Sequence, residues 1–172
     1  VRLWILLLLF APPLAQRLAL IFWALGLAAV LAGWALTRYG RGANVGGADE
    51  SEERQESNPL EMTSAVTFAV IFLTVLVVTS FVAERFGDTG VLVLAAIMGA
   101  ADVDPFILGL TQTVGASLDV ATAALAVIIA SAVNNLMKGI YAVVFGARQT
   151  GSLSLVILTA FGALSVVLFW VF

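Results

Sequence analysis

Long apolar stretches with few charges between them decide what this chain can fold into. The runs 18–36, 60–86, 118–145 and 153–172 are each long enough to cross a bilayer core of about 30 Å, which takes about 20 helical residues. Charged residues make up only 11% of the 172 residues, whereas soluble domains carry about a quarter. The sequence therefore predicts an all-α, polytopic transmembrane helical bundle that is surrounded by a lipid bilayer.

The first 38 residues also have the pattern of membrane helices. The run 3–11 is apolar but short, and Pro12 and Pro13 end it because proline lacks an amide donor and clashes with the preceding turn. One arginine before a short apolar run also resembles a secretory signal peptide, but the next apolar run follows at once. We favour the first interpretation and expect N-terminal membrane helices over residues 1–38.

Residues 39–58 differ in composition from the rest of the chain. They are rich in glycine and acidic residues and contain almost nothing to bury, which predicts a flexible acidic linker. The sequence then gives the pattern of a helix start, because Asn58 can cap a helix and Pro59 suits its first turn. We therefore expect the main transmembrane helical domain over residues 59–172.

The apolar segment 91–114 is interrupted by Asp102, Asp104 and Pro105. Because proline disfavours the helical conformation in the residue before it, we expect one broken or re-entrant helix pair at about 91–114. Either a single span is broken in its middle, or two half-helices enter and leave on one side. The second arrangement gives the clearer charge bias, since it places most arginines on one, cytoplasmic side. These arginines are Arg2, Arg38, Arg41, Arg54 and Arg148.

Asp102 and Asp104 form the first candidate site. Ionised groups are costly deep in hydrocarbon, so they must face water, a partner or an ion. Unwound carbonyl groups beside two carboxylates would form an oxygen-rich metal or cation site suited to Mg²⁺, Na⁺ or a proton relay. The alternative is an ordinary turn in which one aspartate caps the following helix. The residues alone leave both alternatives open.

The second candidate site is a polar cluster within the apolar run 118–145, consisting of Ser131, Asn134, Asn135 and Lys138. Asn134 and Lys138 are four residues apart and therefore share a helix face. A lysine at this depth must reach the interface, pair with an acid or lose its proton, and the aspartates of the break are its natural partners. The alternative is that these side chains only join helices through hydrogen bonds.

The composition excludes several kinds of site. The chain has no cysteine and no histidine, which removes disulfides, thiolate metal sites, the usual zinc sites and imidazole acid–base chemistry. No basic patch indicates a nucleic-acid partner. No hydrolase, kinase, dinucleotide-binding or metalloprotease pattern is present, so we expect no enzymatic activity. We also expect no cofactor, apart from Mg²⁺ or Na⁺ as a transported ion.

Three blocks carry a resemblance to a known family. They are "NPLEMTSAVTFAVIF", "ERFGDTGVLVLAAIMGAADVDPFILGLTQ" and "ATAALAVIIASAVNNLMKG". In this order they resemble the C-terminal membrane domain of unknown function found in MgtC/SapB-like bacterial proteins. The resemblance implies a multi-pass protein of the bacterial cell inner membrane, with an MgtC-like membrane domain as a candidate partner. It implies no mechanism, although both candidate sites stand at its motif positions.

Two functional hypotheses follow from these observations. The first is a small cation transporter or channel-like protein for a divalent metal, Na⁺ or H⁺, which acts as a homodimer because two copies would enclose a better-shielded path. The second is a non-transporting membrane regulator or assembly subunit that binds another membrane protein. In the second case the polar groups join helices, and the acidic linker contacts the partner.

Overall fold

The computed structural model describes residues 2–39, 61–115, 118–146 and 148–171. These residues form six helices and no strand, and four of the helices are long and apolar enough to cross a membrane. The helices are α1 (Arg2–Phe10), α2 (Pro12–Tyr39), α3 (Glu61–Ala100), α4 (Val103–Thr113), α5 (Val120–Phe145) and α6 (Arg148–Val171). The predicted all-α transmembrane bundle is confirmed, and the chain is a multi-pass membrane protein.

The two prolines near the N-terminus both end one helix and begin the next. Helix α1 ends at Phe10, as expected, but α2 begins at Pro12 and not at residue 18. Proline is well suited to the first helical turn, where its missing amide would have no partner. The chain reverses here, since the rings of Trp4 and Trp23 meet edge to face with centroids 6.0 Å apart. Helix α1 therefore folds back along α2.

Helix α3 consists of two segments that are joined by a sharp fold at Gly87. This glycine has φ 59° and ψ −153°, a conformation open almost only to glycine. We call residues 61–86 α3a and residues 88–100 α3b. A Cβ atom on Gly90 would lie 3.0 Å from Val82 Cγ1. Eight residues of continuous helix would separate these positions by about 12 Å, so α3b folds back along α3a.

Helix α4 then turns back toward the fold at Gly87. A Cβ atom on Gly109 would lie 3.4 Å from Leu76 Cα and 3.8 Å from Thr79 Oγ1. If α4 continued in the direction of α3b, Gly109 would lie about 33 Å from Gly87 along the helix axis. Leu76, which Gly109 contacts, lies only about 16 Å from Gly87 along α3a. Helices α3b and α4 therefore form a re-entrant hairpin, which is the second of the two arrangements expected for residues 91–114.

The short helix α4 lies in the core, between α1, α3 and α5. Phe106, Ile107 and Leu110 of α4 are fully buried, and α4 contacts α1, α3 and α5. Helices α5 and α6 pack antiparallel, since Gly139 faces Leu155. The N-terminal helices join this core, with α1 against α4 and α2 against α5 and α6.

The proposed division into residues 1–38, 39–58 and 59–172 stays a prediction. Apart from Tyr39, the last residue of α2, the expected linker lies outside the described residues, as does the expected cap at Asn58. Glu61 is the first described residue of α3, so the expected helix start at Asn58 and Pro59 stays a prediction.

The fold at Gly87 gives a direct test of the hairpin. We expect Gly87→Ala to lower the free energy of unfolding by about 1–3 kcal/mol, because a Cβ atom strains the positive-φ backbone even though open space surrounds it. Thermal unfolding in detergent micelles measures this loss. The matched control is Gly33→Ala in α2, where a Cβ atom also meets nothing within 4 Å and the backbone is helical. The control should be neutral or slightly stabilising. Equal changes in the free energy of unfolding in the two variants would contradict the sharp turn at Gly87.

Candidate functional site at the helix break

The candidate site is built on the point where α3b stops and α4 begins. The last helical turn of α3b closes with a hydrogen bond from the Ala101 amide to the Met98 carbonyl oxygen, 3.1 Å long. Asp102 then takes an extended conformation, with φ −135° and ψ 118°, and α4 begins at Val103. The break therefore lies at residues 101–102, inside the segment where the sequence placed it.

Asp102 caps α4. Its Oδ1 accepts a hydrogen bond from the Asp104 amide, 3.2 Å long. This geometry satisfies one of the amides that the first turn of a helix leaves without a partner. Asp119 caps α5 in the same way and accepts from the Ala121 amide at 3.0 Å. The capping role that the sequence offered as an alternative to a cation site is thus present at Asp102.

Helices α3b and α5 come into backbone contact at the break. A Cβ atom on Gly99 would overlap the Ala130 carbonyl oxygen and would lie 2.9 Å from Ala130 Cα. One turn further along α5, Asn134 Nδ2 donates a hydrogen bond to the Gly99 carbonyl oxygen, 3.2 Å long. That oxygen belongs to the last turn of α3b, where carbonyl groups lack an intrahelical donor. Asn134 therefore joins the second candidate cluster to the helix break.

The contact lies near the middle of α5. This helix has 26 residues and is about 39 Å long. Ala130 and Asn134 lie about 15 Å and 21 Å from its first residue. Because α5 is long and apolar enough to cross a bilayer, the break faces the central part of the span.

Ser131 and Asn135 flank the contact on α5. The Oγ atom of Ser131 is buried and makes no hydrogen bond to any described residue. Asn135 is partly buried. A buried hydroxyl without a partner is costly and is usually matched by water or a ligand. Ser131 and Asn135 of the predicted cluster therefore offer polar atoms beside the break.

Two of the three charged residues of the candidate sites are more exposed than the two asparagines. Asp102 and Lys138 are exposed, and Asp104 is partly buried. Asp102 and Asp104 thus have different surroundings, since Asp102 is an extended cap residue and Asp104 lies in the first turn of α4. No group of three or more acidic, histidine or cysteine side chains comes together among the described residues. A cation here would need carbonyl and amide oxygens in addition to the two carboxylates.

Sequence reasoning missed the acceptor in this site, which is the Gly99 carbonyl oxygen. Gly99 is a small residue, and its lack of a side chain allows the close helix contact. Thr111 and Thr113 donate to the carbonyl oxygens of Leu108 and Leu110 in their own helix. These hydroxyls therefore satisfy the short helix α4 and do not point to a path.

Comparison with known proteins assigns the chain to a family. Residues 1–146 match the family described as "Domain of unknown function (DUF4010)". The chain belongs to the DUF4010 family. The match covers every element of the break: the hairpin of α3b and α4, and all of α5. The resemblance to MgtC/SapB-like proteins goes beyond this match and stays a prediction.

One relative of this DUF4010 protein is an uncharacterized protein from Aquifex aeolicus (strain VF5). The two sequences are 31% identical over 102 residues, which are 59% of this chain and 44% of the relative. The match thus spans less than half the length of that relative. No solved structure matches this chain.

The hydrogen bond between Asn134 and Gly99 can be tested by comparing the two neighbouring asparagines. We expect Asn134→Ala to lower the free energy of unfolding by about 1–2 kcal/mol, because the carbonyl group of α3b loses its donor inside an apolar bundle. Asn135→Ala is the matched control and should cost less, since no hydrogen bond joins its side chain to a described residue. Denaturant unfolding in micelles measures both losses. Hydrogen–deuterium exchange at residues 97–101 should rise only in the first variant, and equal effects would contradict this role.

Proposed function

We propose that this DUF4010 protein is a small cation transporter or channel-like protein of the bacterial inner membrane. Its cargo would be a divalent metal, Na⁺ or H⁺, and its site would be the break between α3b and α4. The observation that supports this proposal is that α3b ends and α4 begins beside the middle of α5, where Asn134 donates a hydrogen bond to the Gly99 carbonyl oxygen. Irregular backbone at such a depth is tolerated where it is buried in protein or lines a water-filled cavity.

The charges at the break favour a cation over an anion. The C-terminal end of a helix carries a partial negative charge, and α3b ends here. The opposite, positive end of α4 is capped by the Asp102 carboxylate. Asp104 adds a second carboxylate in the first turn of α4. The electrostatic potential that these groups produce at the break is therefore negative. Lys138, four residues beyond Asn134, is not among them.

The available ligands agree with transient binding of an ion. Two carboxylates, the backbone oxygens of residues 99–102 and the Ser131 hydroxyl are hard donors of the kind that Na⁺ and Mg²⁺ prefer. A path for ions needs sites weak enough to release the ion again. Two acidic side chains with different surroundings meet this requirement better than a closed metal cage.

We propose transport without catalysis and without a bound cofactor, in a homodimer within the bilayer. An MgtC-like membrane domain is the candidate partner, on the strength of the resemblance of the motif blocks. The charge bias that favours the re-entrant arrangement places the 39–58 side in the cytoplasm.

Removal of one carboxylate at a time tests the transport proposal. We expect Asp102→Asn and Asp104→Asn to lower cation flux into proteoliposomes at least tenfold, on the order expected when a charged ligand is lost. Flux is measured separately with Mg²⁺, with Na⁺ and with a pH gradient, which also identifies the cargo. Asparagine caps helices about as well as aspartate, so the fold should survive.

Asp119→Asn is the matched control. Asp119 has the same capping geometry as Asp102 but lies at the start of α5, away from its middle. We expect normal flux in this variant and an unchanged thermal unfolding profile in all three. Normal flux in the Asp102 and Asp104 variants would reject the transport proposal and would leave the non-transporting regulator as the working hypothesis.

A further inference from the structure

The re-entrant hairpin covers only part of the α5 face that it contacts. Gly99, at the tip of α3b, reaches α5 at Ala130 and Asn134. Beyond Asn134 the same stripe of α5 continues through Lys138, Tyr141 and Phe145, at spacings of four, three and four residues. Tyr141 is 48% exposed and Phe145 is 84% exposed.

Two opposite charges are exposed near the contact between the hairpin and α5, at a depth where lipid is a poor neighbour. Asp102 lies at the tip of the hairpin and is exposed, and Lys138 lies one helical turn beyond Asn134 and is also exposed. Lys138 is about 27 Å from the start of α5 and about 10 Å from its end. Ionisable side chains inside a membrane almost always face a partner or a water-filled cavity.

The direction of the Lys138 side chain matters here. In a helix every Cα–Cβ bond tilts toward the N-terminus. The Lys138 Cα–Cβ bond therefore tilts toward the level of Asn134, and away from the nearer end of α5. Reaching the closer membrane surface would require the side chain to turn against this tilt.

We propose that this face is a two-fold interface between two copies of the chain, in which Asp102 of each copy pairs with Lys138 of the other. In a two-fold interface residue i contacts residue j and residue j contacts residue i, so one acid and one base on the same face complement themselves. With the axis along the membrane normal, paired groups must lie at similar depths. Asp102 and Lys138 differ by about 7 Å in depth, which the long lysine side chain can span.

Charge complementarity favours a second copy over any other occupant. Lipid chains offer no partner to either charge. A different protein would have to supply one acid and one base at matching depths, whereas a second copy has both at the required positions. The pairing would shield Asp102 while no ion is bound and would open when a cation takes the place of the lysine, and in this respect it rests on the proposed function.

The two single charge reversals test this pairing when they are produced together. Asp102→Lys alone and Lys138→Asp alone each set like charges against each other at both contacts of their own homodimer. In a mixed dimer of the two variants, both contacts again join opposite charges. Each variant carries a different affinity tag, and the dimers are counted in lipid nanodiscs by light scattering and two-step tag purification.

We expect the native chain to be dimeric, each single variant to lose its homodimer at least about tenfold, and the mixed dimer to return to within about twofold of the native yield. Return in the mixed dimer shows that both variant chains are folded. The matched controls are Glu84→Lys and Arg85→Glu, which reverse exposed charges at the end of α3a and should leave the dimer unchanged.

Three outcomes would overturn the interface. The first is a monomeric native chain. The second is loss of both homodimers without return in the mixed sample, which indicates that Asp102 and Lys138 pair within one chain. The third is a native dimer that neither reversal weakens, which indicates that Lys138 reaches the lipid headgroups. The assay needs no ion flux, so normal flux in the Asp102→Asn and Asp104→Asn variants would reject the proposed function and leave the interface standing.

Discussion

The end of α3b places the strictest requirement on this bundle. A helix that ends within an apolar bundle leaves its last carbonyl groups without donors, and lipid cannot supply them. Asn134 donates to one of these groups, the Gly99 carbonyl oxygen. The donor can reach it only because the backbones of α3b and α5 touch, and that contact leaves no room for a Cβ atom at residue 99. The hydrogen bond and the glycine contact therefore depend on each other.

This requirement explains why a short helix occupies the core. Helix α4 has 11 residues, and most of them are buried, whereas the spanning helices expose much of their apolar surface. Its buried hydroxyls donate to carbonyl groups of their own helix, so α4 needs few polar partners from its neighbours. The glycine fold at residue 87 turns the chain back so that α3b and α4 fill one half of the bundle. The part of the α5 face beyond Asn134 is left open within a single chain; exposed Lys138 lies there, and exposed Asp102 lies at the tip of the hairpin.

Much of the fold could be predicted from residue patterns. The break at residues 101–102 followed from two aspartates and a proline in an apolar run, and a helix cap at one of these aspartates was one of two alternatives that the residues left open. The start of α2 could not be placed, because Pro12 and Pro13 satisfy the rules for ending one helix and for starting another. The pairing of Asn134 with Gly99 could not be predicted either, since they are 35 residues apart and the acceptor is a backbone atom.

The sequence by itself determined that the chain is a helical membrane protein and that one apolar segment is broken by acidic residues. These properties depend on composition and on local backbone chemistry, which each residue carries with it. Only the tertiary structure decided between a broken span and a re-entrant hairpin. Both arrangements have the same local pattern, and they differ in whether Gly109 returns to Leu76. That contact depends on the packing of distant segments, which no short stretch of sequence specifies.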